Sequence, residues 1–264
     1  MSTTQKVKTV LITGCSDGSP GAALSKAFHA KGHQVHVSAL YRDVLSQEAI
    51  DSCKAKIAEQ TLGTLDILVN NAGGGHYMPF MHLDLTKAKE LFEINVWSYL
   101  SVTQSFLPLL LNGKSVAGIR VSSAYGASKA AMAAFNDAQR IELQPLGIRV
   151  IDLKTGSLES NFGLNKTNAI DLPADSPYHE VINVISGNAT EEYAEDQESW
   201  ARNVVDDLLK SDPPAQIWRG GAAGTIQITK KVEDFLPTSV QDKQFQMLGG
   251  LDKLEKMLKE KGRS

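Results

Sequence analysis

Cysteine is scarce in this sequence. The 264-residue chain has two, Cys15 and Cys53, far apart and in no CxxC or Cys/His spacing. Their placement excludes a disulfide scaffold and a cysteine-based zinc site, and points to a reducing, cytoplasmic setting. Charge of one sign is also lacking, since 27 Lys and Arg face 30 Asp and Glu for a net charge of −3. A nucleic-acid partner needs a concentrated basic surplus and is not expected. No apolar run approaches the ~18 residues of a membrane span, and Met1 to Lys8 are too polar for the core of a secretory signal. The six histidines show no ligand spacing, so no metal is expected, and His76 and His82 read as surface or substrate-pocket residues. Repeats and low-complexity linkers are missing. What remains, 42% apolar and 22% charged, is an ordinary globular composition near the upper size of one core. A single domain spanning residues 1–264 is the expectation.

Along the chain, strand-like and helix-like segments alternate. Val7 to Thr13 reads as a buried strand, followed by a small-residue loop and a helix from Ala22 to Lys31, which Gly32 can stop. Val35 to Leu40 alternates as a second strand, Ser46 to Gln60 is helical, and Leu65 to Val69 is a further strand. A long helix is predicted over Thr86 to Leu111 with Pro108 in its last turns, then a strand at Val116 to Val121 and a helix at Ala124 to Gln144. Ile148 to Leu153 and Ala215 to Trp218 complete the strands, with a helix between Glu191 and Lys210.

Repeated βαβ units predict a doubly wound, Rossmann-like α/β fold: a parallel sheet with helices on both faces and ligands outside the carboxyl ends of the strands. Residues 155–191, rich in Gly, Asn, Pro and Asp, read as a substrate lid, and residues 225–264 as a helical tail. Leu248, Leu251, Leu254 and Leu258, with Lys253, Lys256, Lys259 and Lys261, make that tail amphipathic and basic. Such a helix can touch a membrane surface, but docking on its own core is the ordinary outcome of the pattern.

Thr13-Gly14-Cys15-Ser16-Asp17-Gly18-Ser19-Pro20-Gly21 lies where the first strand meets the first helix. There, loop amides and the positive end of the helix can hold a dinucleotide pyrophosphate without a basic side chain. Gly14, Ser16, Gly18, Pro20 and Gly21 are the candidates. A simple turn explains the same residues, so the further motifs decide. Asn70-Asn71-Ala72-Gly73 ends a strand, Asn95 lies in Glu93-Ile94-Asn95-Val96, and Tyr125-Gly126-Ala127-Ser128-Lys129 opens a helix. Lys154-Thr155-Gly156-Ser157-Leu158-Glu159-Ser160 follows a late strand.

In this order the motifs resemble the short-chain dehydrogenases/reductases nearly end to end. Within that family the start at Thr13, the Lys154-Thr155-Gly156 segment and the region around Ile217-Trp218-Arg219-Gly220 look like the fungal branch of 1-acyldihydroxyacetone-phosphate reductases. The resemblance implies a nicotinamide cofactor, NADP rather than NAD, with Asn71, Leu158 and Ser160 beside it. Arg42 is placed to pair with a 2′-phosphate through its charged fork, or is a solvated loop residue. Asp43, in Asp43-Val44, resembles the residue that meets adenine, or caps a helix. Homo-oligomers are a family expectation.

Tyr125 and Lys129 are four apart on a predicted helix and so share a face. An ammonium beside a phenol stabilises the phenolate and brings proton transfer towards neutral pH. By resemblance Lys129 also holds the nicotinamide ribose, Asn95 supports a water chain behind it, and a serine polarises the substrate carbonyl. That serine is Ser115 or Ser122; Ser115-Val116-Ala117-Gly118 matches the family segment but stands close to Tyr125, whereas Ser122 ends the strand candidate.

Three features depart from the family. Ser19 and Pro20 alter the glycine loop, the span between Leu40 and Ser46 is too short for a further βαβ unit, and the serine segment is shortened. The expected function is therefore NADP-dependent hydride transfer to or from a carbonyl or alcohol on a lipid-like or secondary-metabolite substrate. The alternative is an inactive relative that binds a dinucleotide or a protein.

Overall fold

A computed structural model describes residues 6–38, 43–75, 78, 82–113, 116–122, 126–160, 172–174, 176, 179, 182, 193–233, 235–248 and 251–260. Six parallel strands form one sheet in the order β2-β1-β3-β4-β5-β6, with β1 at Thr9–Thr13, β2 at Gln34–Ser38, β3 at Ile67–Asn70, β4 at Val116–Ser122, β5 at Arg149–Thr155 and β6 at Gln216–Arg219. The register sets Val10 opposite Val35 and Ile67, and Leu153 opposite Ile217.

Strand alternation builds two cores. Val10, Ile12, Ile67, Val69, Ile151, Leu153 and Ile217 pack with Leu24 and Phe28 of α1 (Pro20–Ala30) and with Trp200, Val204 and Leu208 of α6 (Gln197–Leu208). On the other face, Leu11, Leu68 and Val150 meet α2 (Gln47–Gln60) and α4 (Ser98–Gly113) through Ile50, Ile57, Val102, Phe106 and Leu110, with Leu143 of α5 (Gly126–Leu143). These layers are the doubly wound α/β fold that the βαβ pattern predicts. Trp200 and Phe28 are wholly inaccessible to solvent, and truncating a side chain of that size to alanine typically costs about 3–5 kcal/mol.

The short span after β2 is accommodated by topology. β2 is the edge strand, and a 3₁₀ turn at Asp43–Leu45 leads into α2, which carries the chain back to pair β3 with the other side of β1. Among the described residues the sheet therefore ends at β2, and the short span leaves it uninterrupted. Val37 on β2 is half exposed, the consequence of that open edge.

Several boundaries differ from the sequence pattern. α1 begins at Pro20 because Ser19 caps it, and α6 begins at Gln197 under the Asp196 cap, not at Glu191. The predicted single helix over Thr86 to Leu111 is α3 (Leu85–Phe92), a π-helical turn at Glu93–Trp97, and α4. Among the described residues the tail holds three helices, α7 (Ala223–Glu233), α8 (Thr238–Leu248) and α9 (Leu251–Glu260). Leu254 is buried, so α9 docks at least this apolar residue on the fold.

Candidate functional site

Outward from β1 the chain passes to β2, and from β3 onward it runs the other way, so the carboxyl ends of β1 and β3 form the topological switch point. Thr13 ends β1. Its hydroxyl accepts from the Asn71 N–H at 3.1 Å and the Ala72 N–H at 3.0 Å, and donates to the Val69 carbonyl at 3.5 Å. In return the Asn71 amide Nδ2 donates to the Thr13 and Gly14 carbonyls at 2.9 and 2.8 Å. Asn71 is therefore spent on bracing the glycine loop from behind.

That loop is preformed. Gly14 and Gly18 have φ of +71° and +72°. At Gly14 a Cβ would stand 2.7 Å from the Ala72 Cα, so conformation and space both demand glycine. Ser16 accepts from the Ser19 N–H through its carbonyl at 3.0 Å. Ser19 then caps α1, its hydroxyl accepting from the Ala22 N–H at 3.2 Å and donating to the Gly14 carbonyl at 3.1 Å. Pro20 is the first helical residue, where its missing N–H is least costly. Gly21 is buried beneath the Asn71 amide. Burial pushes the Cys15 thiol up to about 12, which keeps it protonated at neutral pH and excludes thiolate chemistry here.

Beyond β3 the loop meets Asn95. The Gly74 N–H donates to Asn95 Oδ1 at 2.8 Å, while Asn95 Nδ2 donates to the Gly74 carbonyl at 3.0 Å and to Ser128 Oγ at 3.3 Å. A π-turn adds about one residue to a helical turn and rotates the following face by roughly 100°. The turn at Glu93–Trp97 holds Asn95 buried, and Ser98 donates to the Ile94 carbonyl at 2.6 Å at its exit. Lys129 lies on α5 with its Nζ near the same backbone: a Cβ on Gly73 would lie 3.0 Å from Asn95 Oδ1 and 3.8 Å from Lys129 Nζ. A side chain at position 73 would press on the Asn95 amide, so glycine gives the two their closest approach across this loop.

Other candidates are distributed as follows. Ser122 is the last residue of β4, in register with Lys154 of β5. β4 starts at Val116, so its amino end, the end that Ser115 precedes, is the opposite end from Asn95 and Lys129. Asp43 opens the 3₁₀ turn, and its neighbour Val44 is buried in the core. Leu158 pairs with Glu195 in an isolated parallel bridge, packed partly against the α1 and α6 core, and Ser160 is half-buried. Tyr125, Ser115 and Arg42 lie outside the described residues. α5 begins at Gly126, so the described helix carries Lys129, and the shared face predicted for Tyr125 and Lys129 lies outside the described residues.

Sequence reasoning missed Ser128 and Thr13 as structural partners and Gln197 altogether. Ser128 and Thr13 belong to the Tyr125–Lys129 and Thr13–Gly21 motifs, but nothing in a linear pattern shows which hydroxyl turns inward. Gln197 carried no signal, because its partners, Gly18 and Glu159, are 179 and 38 residues away.

A family model described as short chain dehydrogenase matches residues 34–169. A short-chain dehydrogenase/reductase of Pestalotiopsis microspora is 39% identical, over 96% of this chain and 97% of its own. An NADPH-dependent 1-acyldihydroxyacetone phosphate reductase of Schizosaccharomyces pombe is 28% identical, over 88% and 91%. A crystal structure of a short-chain dehydrogenase from Streptomyces avermitilis superposes with a TM-score of 0.69 at 24% identity, covering 97% of this chain and 99% of that one. The chain belongs to the short-chain dehydrogenase/reductase family and is an oxidoreductase. Nicotinamide dinucleotides are the cofactors of this family. The preformed loop fits one, with positive-φ glycines, a capped helix start and the Gly21 N–H in the first helical turn, although Pro20 removes one donor.

Proposed function

We propose that the chain is an NADP-dependent reductase of a carbonyl on a lipid-like or secondary-metabolite substrate, working also in the oxidative direction on the alcohol. The observation that carries the reading is the meeting of Asn95, Gly73 and Lys129 beside the carboxyl end of β3, next to the braced glycine loop. When bound, the nicotinamide supplies the hydride. Gly14, Ser16, Gly18, Pro20 and Gly21 hold the pyrophosphate side, Asp43 and Arg42 the adenosine side, and Leu158 and Ser160 the nicotinamide side. Asn71 acts from behind, through the loop it braces.

In reduction, Tyr125 donates its phenolic proton to the carbonyl oxygen. The Lys129 ammonium stabilises the phenolate that forms and binds the ribose. Asn95 positions Lys129 and its proton supply, and Ser122 polarises the carbonyl. Support for NADP comes from the NADPH-dependent relative and from the guanidinium of Arg42, whose fork suits a phosphate. The substrate class rests on that relative and on the similarity to fungal dehydrogenases.

Thermal unfolding with and without NADPH and NADH tests the site, because a ligand at 100 times its dissociation constant stabilises by about 2.7 kcal/mol. A selective rise with NADPH is expected, followed by NADPH oxidation on a carbonyl panel that Tyr125→Phe abolishes while binding persists. A second reading, a dinucleotide-binding relative without turnover, is favoured by Pro20 at the first helical position and by a sheet that, among the described residues, ends at β2. NADPH binding with no oxidation across the panel would establish it.

A further inference from the structure

Gln197 joins two segments that the dinucleotide reading makes opposite walls of one cleft. It is the first residue of α6, directly after the Asp196 cap, which accepts the Ser199 N–H at 2.8 Å. From there its Nε2 donates to the Gly18 carbonyl at 3.0 Å and to the Glu159 carbonyl. A carboxamide nitrogen carries two protons, so one side chain can serve both acceptors.

The Glu159 wall is already fixed in the fold. The Glu159 N–H donates to the Glu195 carbonyl at 3.1 Å, the Glu195 N–H to the Ser157 carbonyl at 3.1 Å, and Ser157 and Gly221 exchange backbone hydrogen bonds at 3.0 and 2.9 Å. The glycine loop is held differently along its length. Asn71 and Ser19 secure its inner end at Gly14, whereas Gly18 lies exposed on the outer turn. Gln197 thus carries the rigid frame of β5, Gly221 and the α6 entry across to that outer turn.

We propose that Gln197 is a positioning residue for the dinucleotide, setting the spacing between the Gly14–Gly21 loop and the Leu158–Ser160 wall. The proposal rests on the dinucleotide reading of this cleft. It also explains how a loop that has exchanged a glycine for Ser19 and an N–H for Pro20 keeps its outer turn in place.

The test compares the parent protein with Gln197→Met, matched in length but without a donor, and Gln197→Lys, which retains one. Amide hydrogen exchange is read over residues 14–19 and 157–160 without cofactor, and NADPH dissociation constants are measured by titration. Gln197→Met is expected to speed exchange in both segments together and to raise the NADPH dissociation constant about tenfold, the change that one lost interaction of ~1.4 kcal/mol gives. Gln197→Lys should stay close to the parent, and kcat at saturating NADPH should change little in either variant. Parent-like exchange and affinity in Gln197→Met would overturn the proposal, as would a loss of kcat with unchanged affinity. Should Gln197→Met fail to fold, Gln197→Glu, isosteric and without a donor at neutral pH, decides by the same readings. A parent that binds no NADPH overturns the reading of the cleft, while exchange in the cofactor-free protein still decides whether Gln197 couples its walls.

Discussion

Asn95 and Gly74 are held together by two reciprocal hydrogen bonds, the Gly74 N–H donating to Asn95 Oδ1 at 2.8 Å and Asn95 Nδ2 donating to the Gly74 carbonyl at 3.0 Å. One side chain here satisfies both polar groups of a buried backbone unit, as an adjacent strand would. Replacing it with Asn95→Leu, similar in volume, leaves both groups buried and unpaired. The expected loss is on the order of 2–3 kcal/mol, read as a lower midpoint in urea. Turnover should fall as well, because the loop that faces Lys129 loses its anchor. An unchanged midpoint would show that the loop relaxes without Asn95.

Gly14 and Gly147 offer a paired test of what the glycine loop requires. Both have positive φ, +71° and +76°, but a Cβ on Gly14 would stand 2.7 Å from the Ala72 backbone whereas one on Gly147 meets nothing within 4 Å. Gly147→Ala should cost only the left-handed backbone penalty, about 1–2 kcal/mol, and leave cofactor affinity alone. Gly14→Ala must also displace the contact with Ala72, so it should destabilise more and abolish NADPH binding. Equal melting temperatures for the two variants would contradict the packing account.

The fold was legible where periodicity and motif order were strong. Val7 to Thr13 reads as a buried strand, and Val10, Leu11 and Ile12 are buried on β1, while the short span after Leu40 leaves no room for a further βαβ unit. What could not be read was geometry set by distant partners. The π-turn at Glu93–Trp97 carries no compositional mark, because its stability comes from Gly74 and Ser128, reached only once β3 and α5 are in place. The helix starts at Gln197 and not at Glu191 for a related reason: Tyr193 to Asp196 has helical composition, but Glu195 is taken by a bridge to Leu158 and Asp196 serves as the cap.

His33 is expected to make stability depend on pH. It is buried, its Nδ1 accepts the Lys8 N–H at 3.2 Å, and its Nε2 has no hydrogen-bond partner among the described residues. Burial lowers its pKa below 6.5; Lys8 and Lys31 lower it further, while Asp66 opposes them. His36 is lowered by burial too. For a depressed histidine the unfolded chain takes the proton first. The contribution is therefore complete above pH 6.5 and is lost as pH falls through the folded-state value. The slope contributed by one such group is at most about 1.4 kcal/mol per pH unit. His33→Gln retains an acceptor for Lys8 without titrating, so its urea midpoint should fall less between pH 7 and pH 5.5 than that of the parent. Parallel curves would assign the pH dependence elsewhere.

The serine assignment can be separated by position along β4. Ser122 closes the strand in register with Lys154, whereas Ser115 precedes its amino end, and a strand of seven residues spans about 20 Å. On the proposed mechanism the serine that polarises the carbonyl belongs at the carboxyl end of β4, where Ser122 stands. Ser122→Ala should lower kcat by about 10²–10³ through loss of a hydrogen bond to the developing oxyanion, with NADPH affinity retained. Ser115→Ala should leave kcat within about twofold, the outcome for a side chain that touches neither substrate nor cofactor, whose loss shifts energies by only ~0.5 kcal/mol. The reverse result, with Ser115→Ala inactive and Ser122→Ala intact, would mean that the working enzyme threads this segment in a different register from Val116–Ser122. The short connection between β4 and α5 would then be lengthened at the expense of the strand.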